Sequence, residues 1–347
     1  MTLPNARLTD PASIPALKWG VIGTGWIATR FARAAHLHTS QKVVAVAARD
    51  SKRTAAFAST YGVDRTYATP EALLADPQID VVYVATPHSS HRNLALLAIA
   101  AGKHLLIEKP IATSAAEAQE IVDAARAAGV FVMEAMWTRY LPQMDILRQL
   151  IEGDELGKIH HVSADFGVLS PYDAEGRMWN PALAGGALLD LGVYPISFVS
   201  AILGKPHRVQ ATGIATANGI DLRATALMGY EDGVDAVAAT SMISKTSTRA
   251  AVVGSKARVD IPSSFFTPTG LVLSKHVDGI DTTETFRDEA FEEGYDALSY
   301  QINALAQYVG EGRPESPLHS LDETVSVLAT IDEIRTLLSV VDYTPTA

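Results

Sequence analysis

A glycine-containing turn near the N-terminus has the composition of a nucleotide-binding loop. Gly23-x-Gly25-x-x-Ala28 follows a short apolar run and opens a stretch with the apolar spacing of a helix. In such a turn the first glycine permits a sharp bend, the second lets the backbone approach a pyrophosphate, and the third small residue lets helix and strand pack closely. The pyrophosphate then binds backbone N–H groups at the helix N-terminus. We therefore predict that Gly23, Gly25, Trp26 and Ala28 bind a dinucleotide, with a purely structural glycine turn as the alternative.

The residues after the second predicted strand bear on the choice between NAD and NADP. Enzymes that use NAD place a carboxylate at this strand end to bind the ribose 2′-hydroxyl, whereas an arginine nearby accommodates the 2′-phosphate of NADP. Here the strand ends at Ala48 and Arg49, and Asp50 comes next. This order favours NADP(H) over NAD, with Arg49 at the phosphate. The alternative is that Arg49 is a solvated cation and that Asp50 binds the ribose.

Two further strand ends carry polar side chains. Ligands of an open parallel sheet bind at the carboxyl ends of its strands, and both Thr86-Pro87-His88 and Glu108-Lys109-Pro110 follow apolar runs. A lysine placed there faces the nicotinamide crevice and can take part in proton transfer, although a solvated cation is the simpler explanation. His91 is equally well explained as the first residue of a helix. The cofactor-binding residues predicted at these two ends are Thr86, Pro87, His88, His91, Glu108 and Lys109.

The elements that must position these residues fall into two patterns. From residue 17 to residue 132, short β-branched runs alternate with alanine-rich helical stretches, which predicts a doubly wound parallel sheet of Rossmann type. Later in the chain, consecutive strands without intervening helices predict an antiparallel or mixed sheet. Two closing helices are predicted over residues 295–310 and 320–341. We therefore expect an α/β protein with an N-terminal Rossmann domain and a C-terminal α+β domain whose sheet is open and mostly antiparallel.

The length of 347 residues corresponds to about two domains. We place the Rossmann domain at residues 18–137 and a substrate-binding and oligomerisation domain at residues 138–347. The first 17 residues contain three prolines and no apolar run of signal-peptide length. They are predicted to form a loose N-terminal arm, or alternatively a strap on a neighbouring subunit or on the cofactor.

Charge and composition exclude several classes of partner. Lys and Arg number 28 against 39 Asp and Glu, which gives a formal net charge of −11. Such a charge repels nucleic acid and anionic lipid, so neither is an expected partner. The chain has no cysteine, which excludes disulfides and thiolate zinc sites, and we assign no metal site. We expect no later stretch to approach the roughly 20 apolar residues of a membrane span, and we expect a cytoplasmic protein.

Four motifs taken together resemble one family. The glycine turn combined with Glu108-Lys109-Pro110 is similar to the glucose–fructose oxidoreductase, inositol dehydrogenase and rhizopine-catabolism (Gfo/Idh/MocA) family. Within that family, MEAMWTR at residues 133–139 and GGALLDLGVY at residues 185–194 resemble the dimeric dihydrodiol dehydrogenases and the NADP-dependent D-xylose dehydrogenases. The resemblance covers nearly the whole chain beyond the arm.

The resemblance implies roles for three residues. Lys109 and Tyr194 are expected to form an acid–base pair, with Asp190 beside them, although many family members carry histidine at the position of Tyr194. Asp190 and Tyr194 are four residues apart and so share one face of a helix. A phenol titrates near pH 10, and a neighbouring cation stabilises its deprotonated form. An ordinary pair on a helix surface is the alternative. The family motif also implies a cis peptide bond between Lys109 and Pro110.

Other residues near these motifs are candidates for the walls of the site. Trp137, Phe166 and Trp179 are predicted to line an apolar substrate pocket, with core packing an equally good explanation. Gly185-Gly186 is expected to let the backbone approach the nicotinamide ring or the substrate. Pro195 predicts a local bend, because proline removes a helix hydrogen bond.

These features predict an oxidoreductase that transfers a hydride between NADP(H) and a hydroxyl carbon of a sugar, polyol or cyclic diol. A glucose–fructose-type transhydrogenase that retains its cofactor is one alternative. A sensor that binds the dinucleotide without chemistry is another. Because an open sheet leaves apolar surface to be covered, we expect a homodimer or higher homo-oligomer.

Overall fold

The computed structural model describes residues 3–277 and 280–344, which divide into two compact units. Residues 9–140 and 291–325 form the first, which we call the parallel-sheet unit. Residues 3–8, 141–277, 280–290 and 326–344 form the second, the mixed-sheet unit. Residues 291–325 therefore belong to the parallel-sheet unit although they come late in the chain.

The parallel-sheet unit is built on six strands in the order β3-β2-β1-β4-β5-β6, and all neighbouring pairs are parallel. This is the predicted Rossmann sheet, with its strand order reversing between β1 and β4. The strands are β1 (Lys18–Ile22), β2 (Lys42–Ala47), β3 (Arg65–Tyr67), β4 (Val81–Val84), β5 (His104–Glu108) and β6 (Val132–Ala135). The helices are α1 (Trp26–His38), α2 (Ser51–Tyr61), α3 (Pro70–Leu74), α4 (His91–Ala100), α5 (Ala115–Ala128) and, from the later part of the chain, α8 (Leu298–Gly310).

Local sequence explains where these helices begin. Asp50 and Ser114 cap α2 and α5, since each side chain accepts a hydrogen bond from a backbone N–H in the first turn. By contrast, α1 begins at Gly25 without a side-chain cap. The strands between the helices are buried on both faces, as all four residues of β4 illustrate. No side chain at the N-cap therefore accepts a hydrogen bond from the backbone N–H groups in the first turn of α1.

The mixed-sheet unit contains nine strands in the order β14-β13-β12-β11-β7-β10-β9-β8-β15. Only the β7–β10 and β8–β15 pairs are parallel, so the sheet is mostly antiparallel, as predicted. The strands are β7 (Ile159–Gly167), β8 (Arg208–Thr216), β9 (Asp221–Gly229), β10 (Asp235–Ser241), β11 (Ala250–Gly254), β12 (Ala257–Ile261), β13 (Gly270–Val277), β14 (Ile280–Arg287) and β15 (Ser339–Val341). The helices are α6 (Pro142–Glu152), α7 (Val193–Leu203) and α9 (Leu321–Thr336), which contains the boundary between residues 325 and 326.

The last predicted helix is shorter than expected. The sequence predicts a helix to residue 341, but α9 ends at Thr336 and Ser339–Val341 form β15, which pairs in parallel with β8. The two adjacent valines in this segment favour an extended backbone, and the edge of β8 offers hydrogen-bond partners.

The N-terminal arm is anchored, so the prediction of a loose arm is wrong. Arg7 donates to Asp145 of α6 through its backbone N–H (2.7 Å) and its guanidinium (2.9 Å from Nη2 to Oδ1). Gln149, one turn further along α6, donates to the carbonyl of Asn5 (2.8 Å). Residues 3–8 thus pack on their own chain, because a buried carboxylate faces the one arginine of the arm.

One helical segment of the described residues, Pro181–Leu203, is long and apolar enough to cross a membrane by length and composition alone, with a mean hydropathy of 1.7. The expectation that no segment would approach this length was therefore wrong. Most of its apolar window (78%) is buried inside the protein, as in a core helix. The C-terminal half of the segment is α7, which packs against β7 and β10.

Candidate active site

The glycine turn after β1 has the geometry of a phosphate cradle. Gly23 has φ +108°, and a Cβ there would lie 2.3 Å from the carbonyl oxygen of Ala85, so only glycine fits. A Cβ on Gly25 would meet no protein atom within 4 Å. Protein packing therefore does not require the second glycine, whereas a ligand against the turn would. Ala28 is fully buried where α1 meets the sheet.

These features fit a dinucleotide pyrophosphate. The uncapped first turn of α1 presents backbone N–H groups next to the open space at Gly25. Trp26 is 56% exposed at the same turn. Its ring contacts Tyr295 edge-on, with centroids 4.7 Å apart, and Tyr295 in turn stacks on Trp137 at 5.3 Å. Tyr295, which sequence reasoning did not single out, thus links a predicted cofactor residue to a predicted substrate residue.

The end of β2 carries two arginines rather than one. Arg49 is exposed and makes no ion pair with the described residues. The Asp50 carboxylate accepts from the backbone N–H groups of Lys52 (3.0 Å) and Arg53 (3.1 Å), so it serves α2 as a cap. Arg53 donates to the carbonyl of Thr24 in the glycine turn (3.0 Å). Sequence reasoning missed Arg53, although its spacing of four from Arg49 could have indicated it.

The residues after β4 are held by a buried histidine. His91 is fully buried at the start of α4, and both of its ring nitrogens lie 2.9 Å from backbone carbonyl oxygens, those of Thr86 and Pro110. Burial lowers the pKa of His91, and the two hydrogen bonds oppose that effect. His91 therefore connects the ends of β4 and β5. His88 is also buried, 5.7 Å from His91 between ring centroids, and Pro87 caps its short helix.

Lys109 follows β5 in a strongly constrained segment. The Lys109–Pro110 peptide is cis, which confirms that prediction. Glu108 is buried and accepts a hydrogen bond from the Tyr83 hydroxyl. Lys109 itself is half-buried. The segment thus fixes the backbone on both sides of the lysine while leaving part of its side chain accessible.

A buried hydrogen-bond network that sequence reasoning missed holds this segment in place. The Glu134 carboxylate, at the end of β6, accepts from the backbone N–H of Ile111 (2.9 Å), two residues after Lys109, and from the Thr324 hydroxyl (3.2 Å). His319 Nε2 lies 3.3 Å from the same hydroxyl. The network therefore ties the lysine segment to the start of α9.

The ionisation of this network departs from ordinary behaviour. Burial raises the pKa of Glu134 from 4.5 to about 7, against the two hydrogen bonds and the charges of Arg139 and Lys109. Burial and the nearby Arg139 hold the pKa of His319 well below its usual range. Within the described chain, Nδ1 of His319 has no hydrogen-bond partner, so the neutral tautomer with its proton on Nε2 fits best.

Asp190 and Tyr194 lie on one helical segment of the mixed-sheet unit, but its first turn is not α-helical. Leu188–Gly192 form a π turn, and α7 then begins at Val193. Pro195 follows this π turn directly, at the third position of α7. This explains how the chain accommodates the proline that predicted a bend, because π turns relax the regular hydrogen-bond ladder next to functional residues.

The Asp190 carboxylate is paired with a residue that the sequence did not reveal. Arg177 donates through Nη1 to Oδ1 (2.7 Å) and through Nη2 to Oδ2 (3.0 Å). The Asp190 side chain is 8% exposed, whereas that of Arg177 is 52% exposed. No periodicity or motif marks Arg177, which lies in an irregular segment before the glycine pair.

The glycine pair allows this irregular segment to pack closely, whereas its predicted approach to the nicotinamide or the substrate stays a prediction. A Cβ on Gly185 would lie 2.6 Å from the Met178 carbonyl oxygen and 2.8 Å from that of Arg177. Gly186 has φ +124°, and a Cβ there would lie 2.6 Å from the buried carboxylate of Asp221. In the structure the groups that approach these two glycines are the protein's own backbone and this carboxylate.

Aromatic side chains surround Tyr194. Its ring lies 5.7 Å from Phe166 and 4.8 Å from Phe266, and the two phenylalanines stack at 4.3 Å. Sequence reasoning predicted Phe166 but missed Phe266. Trp179 lies apart from this cluster, since its ring stacks on Tyr343 at 6.2 Å and its indole donates to the Pro171 carbonyl (2.9 Å).

Two family models match the chain. The model described as "Oxidoreductase family, NAD-binding Rossmann fold" matches residues 17–136. The model of the GFO/IDH/MocA C-terminal domain matches residues 144–260. Together they cover the main segments of both units.

Known proteins with similar sequences are trans-1,2-dihydrobenzene-1,2-diol dehydrogenases. The one from Mus musculus is 35% identical over 329 residues, which cover 94% of this chain and 98% of the mouse protein. The one from Sus scrofa is 33% identical over the same length and the same shares of both chains.

Solved structures of oxidoreductases have the same fold as this chain. The 3-ketoreductase KijD10 from Actinomadura kijaniata, in complex with NADP and TDP-benzene, superposes with a TM-score of 0.82 at 25% identity, over 95% of this chain and 100% of its own. A levoglucosan dehydrogenase in complex with NADH and levoglucosan shares the fold, with a TM-score of 0.83 at 18% identity over 93% and 97% of the two chains. By sequence, by both family models and by fold, the chain belongs to the GFO/IDH/MocA family of oxidoreductases.

Proposed function

We propose that this oxidoreductase is an NADP(H)-dependent dehydrogenase or reductase that acts on a hydroxyl carbon of a sugar, polyol or cyclic diol. The proposal rests mainly on Asp190 and Tyr194, a buried carboxylate and a buried tyrosine one turn apart. They occur in a chain that is similar over 94% of its length to dihydrodiol dehydrogenases.

The cofactor is proposed to bind along the carboxyl ends of the parallel strands. Backbone N–H groups at the start of α1 hold the pyrophosphate beside Gly25, and Gly23 and Ala28 make the turn possible. Arg49 and Arg53 supply the positive charge for the 2′-phosphate of NADP. The carboxylate of Asp50 caps α2 and is therefore not assigned to the ribose. When bound, the nicotinamide supplies the acceptor or donor of the hydride.

Proton transfer at the substrate is assigned first to Tyr194. Tyr194 takes the proton of the reacting hydroxyl during oxidation and returns it during reduction. Phe166 and Phe266 hold its ring and exclude water from it, since both pack against the phenol. Lys109 is the second member of the proton-transfer unit, as the family resemblance implies. Asp190 orients the substrate side of the site through Arg177.

A substrate panel tests this function. Sugars, polyols and cyclic trans-diols are incubated with NADP⁺ or NAD⁺, and reduction is followed by the absorbance of the reduced nicotinamide. Tyr194→Phe removes one hydroxyl only, so NADPH binding should persist while kcat falls by about 10²- to 10⁴-fold. Lys109→Met should be similarly damaging, and the double variant little worse than either single variant if the two act on one proton. Near wild-type kcat in Tyr194→Phe would exclude the tyrosine as the proton acceptor.

We also propose that the protein is a homodimer through the outer face of the mixed sheet. Across neighbouring strands, Leu227, Val237, Ser163 and Ala251 stand side by side in register. All four side chains are partly or largely exposed, and Leu227 is 41% exposed. A row of three apolar side chains and one small serine on an open sheet favours association with a second copy.

A further inference from the structure

We propose that Arg177 is a specificity-determining residue, which binds the ring hydroxyl next to the carbon that reacts and so selects substrates with vicinal hydroxyls. This inference rests on the proposed function and names the feature of the substrate that the same site recognises.

In this ion pair the guanidinium of Arg177 is exposed to solvent, whereas the carboxylate of Asp190 is buried. Both oxygens of Asp190 accept from Arg177, at 2.7 and 3.0 Å. The carboxylate side chain is 8% exposed and the arginine side chain 52% exposed. A hydroxyl that approaches from solvent therefore meets Arg177 first.

The position of Arg177 is built into the fold. The backbone of Arg177 and Met178 lies so close to Gly185 that a Cβ on that glycine would be 2.8 and 2.6 Å from their carbonyl oxygens. The backbone N–H of Gly186 donates to the Met178 carbonyl (3.0 Å). The indole of Trp179 donates to the Pro171 carbonyl (2.9 Å) and fixes the segment from its other side. A surface arginine without a function does not require such support.

The chemistry of the pair fits a neutral hydroxyl. A guanidinium has five N–H donors, and two of them are directed to Asp190. The others can donate to the oxygen of an alcohol. Because Asp190 neutralises the positive charge, the pair has little preference for a carboxylate or phosphate substituent. An alcohol or polyol gains directed hydrogen bonds here without the desolvation of a second charge.

The pair also lies close to the proposed proton acceptor. Asp190 is four residues before Tyr194 on one helical segment, which separates their Cβ atoms by roughly 6 Å. The phenol and the guanidinium that extends from Asp190 start from neighbouring positions, so one hydroxyl of a vicinal pair can meet the phenol while the next meets the guanidinium. The reacting hydroxyl is then bound by Tyr194 and its neighbour by Arg177.

Two pairs of substrates that differ by one hydroxyl test the inference: trans-cyclohexane-1,2-diol against cyclohexanol, and D-glucose against 2-deoxy-D-glucose. The measured quantity is the ratio of kcat/KM with and without the adjacent hydroxyl, in the wild-type protein with NADP⁺. Arg177→Met should lower this ratio by roughly 10- to 100-fold, mainly through KM of the diol. Arg177→Lys, which keeps the charge opposite Asp190 but lacks the planar fork, should lower it by about threefold or more.

The matched control is Arg258→Met, which breaks an Arg–Asp pair of the same unit whose carboxylate, on Asp260, is 41% exposed. Its ratio should equal that of the wild type. An unchanged ratio in either Arg177 variant, or a wild-type enzyme indifferent to the second hydroxyl, would overturn the inference. If Arg177→Met does not fold, Arg177→Lys decides alone. A wild-type protein without turnover of any alcohol, sugar or diol would instead refute the proposed function.

Discussion

The buried carboxyl of Glu134 should make the parallel-sheet unit less stable as the pH rises from about 4.5 to about 7. Glu134 is 2% exposed, and its oxygens are held by Ile111 and Thr324. Glu134→Gln replaces the carboxyl by a neutral group of nearly the same shape, which can still accept from the Ile111 N–H. The comparison of the two proteins therefore isolates ionisation from packing.

The size and sign of the effect follow from the pKa of Glu134, which burial raises from 4.5 to about 7. Between these values the folded protein holds a proton that the unfolded chain has lost, so folding stability falls as the pH rises through this window. At about 1.4 kcal/mol for each pH unit, the whole window corresponds to about 3 kcal/mol. Below it the carboxyl is protonated in both states, and above it the full penalty is present.

The assay is urea unfolding at pH 5 and pH 8, followed by tryptophan fluorescence. Trp19, Trp26 and Trp137 belong to the parallel-sheet unit, so the signal reports mainly on that unit. The free energy of unfolding of Glu134→Gln minus that of the wild type should increase by about 2–3 kcal/mol between these pH values. His319, whose depressed pKa lowers stability at acid pH, is present in both proteins.

Glu71→Gln, at an exposed carboxyl of α3, is the control and should show no such increase. A pH-independent difference between Glu134→Gln and the wild type would refute the reasoning. It would mean that Glu134 ionises in the folded protein as readily as in the unfolded chain, and that its hydrogen bonds and nearby cations compensate fully for burial.

Two further predictions concern the cofactor and the assembly. Arg49→Ala should weaken NADP⁺ binding by about 10- to 150-fold with little change for NAD⁺, because a charge-assisted hydrogen bond contributes roughly 1.5–3 kcal/mol. Arg53→Ala should weaken the binding of both cofactors, since it also loses the contact with Thr24. Titration of NADPH and NADH fluorescence measures this, and equal losses for both cofactors in Arg49→Ala would show that this arginine does not bind the phosphate. Leu227→Glu should convert the proposed dimer to a monomer, as measured by light scattering after size exclusion. Val340→Glu, on the exposed edge strand β15, should leave the dimer intact. A wild-type protein that is monomeric at micromolar concentration would contradict the proposed dimer.

The sequence was sufficient for the parts of the fold that local patterns determine. The alternation of apolar runs and helices predicted the Rossmann sheet, and the run of consecutive strands predicted the mostly antiparallel one. The cis bond before Pro110, which only the family resemblance implied, was also confirmed. The C-terminal strand Ser339–Val341 was missed, because a short apolar segment after a helix acquires its conformation from the strand edge that it meets.

Partners that are distant in the sequence were not predictable in the same way. Arg7 of the arm meets Asp145, and Glu134 meets Thr324, 190 positions later in the chain. Neither charge nor spacing indicates such pairs, since a lone arginine or glutamate has many possible partners. Both become evident only when burial and distance are known, because a buried carboxylate requires donors.

The glycine pair at residues 185 and 186 shows most clearly what a motif conveys and what it leaves open. Two consecutive glycines indicate that something approaches the backbone closely, and proximity to a predicted cofactor suggested the nicotinamide or the substrate. In the structure the approaching groups are the backbone of Arg177 and Met178 and the carboxylate of Asp221. The pair therefore acts on the site indirectly. It lets an irregular segment lie against the start of the helix that carries Asp190 and Tyr194, and that segment places a guanidinium on the Asp190 carboxylate. A side chain at Gly185 would accordingly displace the backbone of Arg177 and Met178, and one at Gly186 would displace the Asp221 carboxylate.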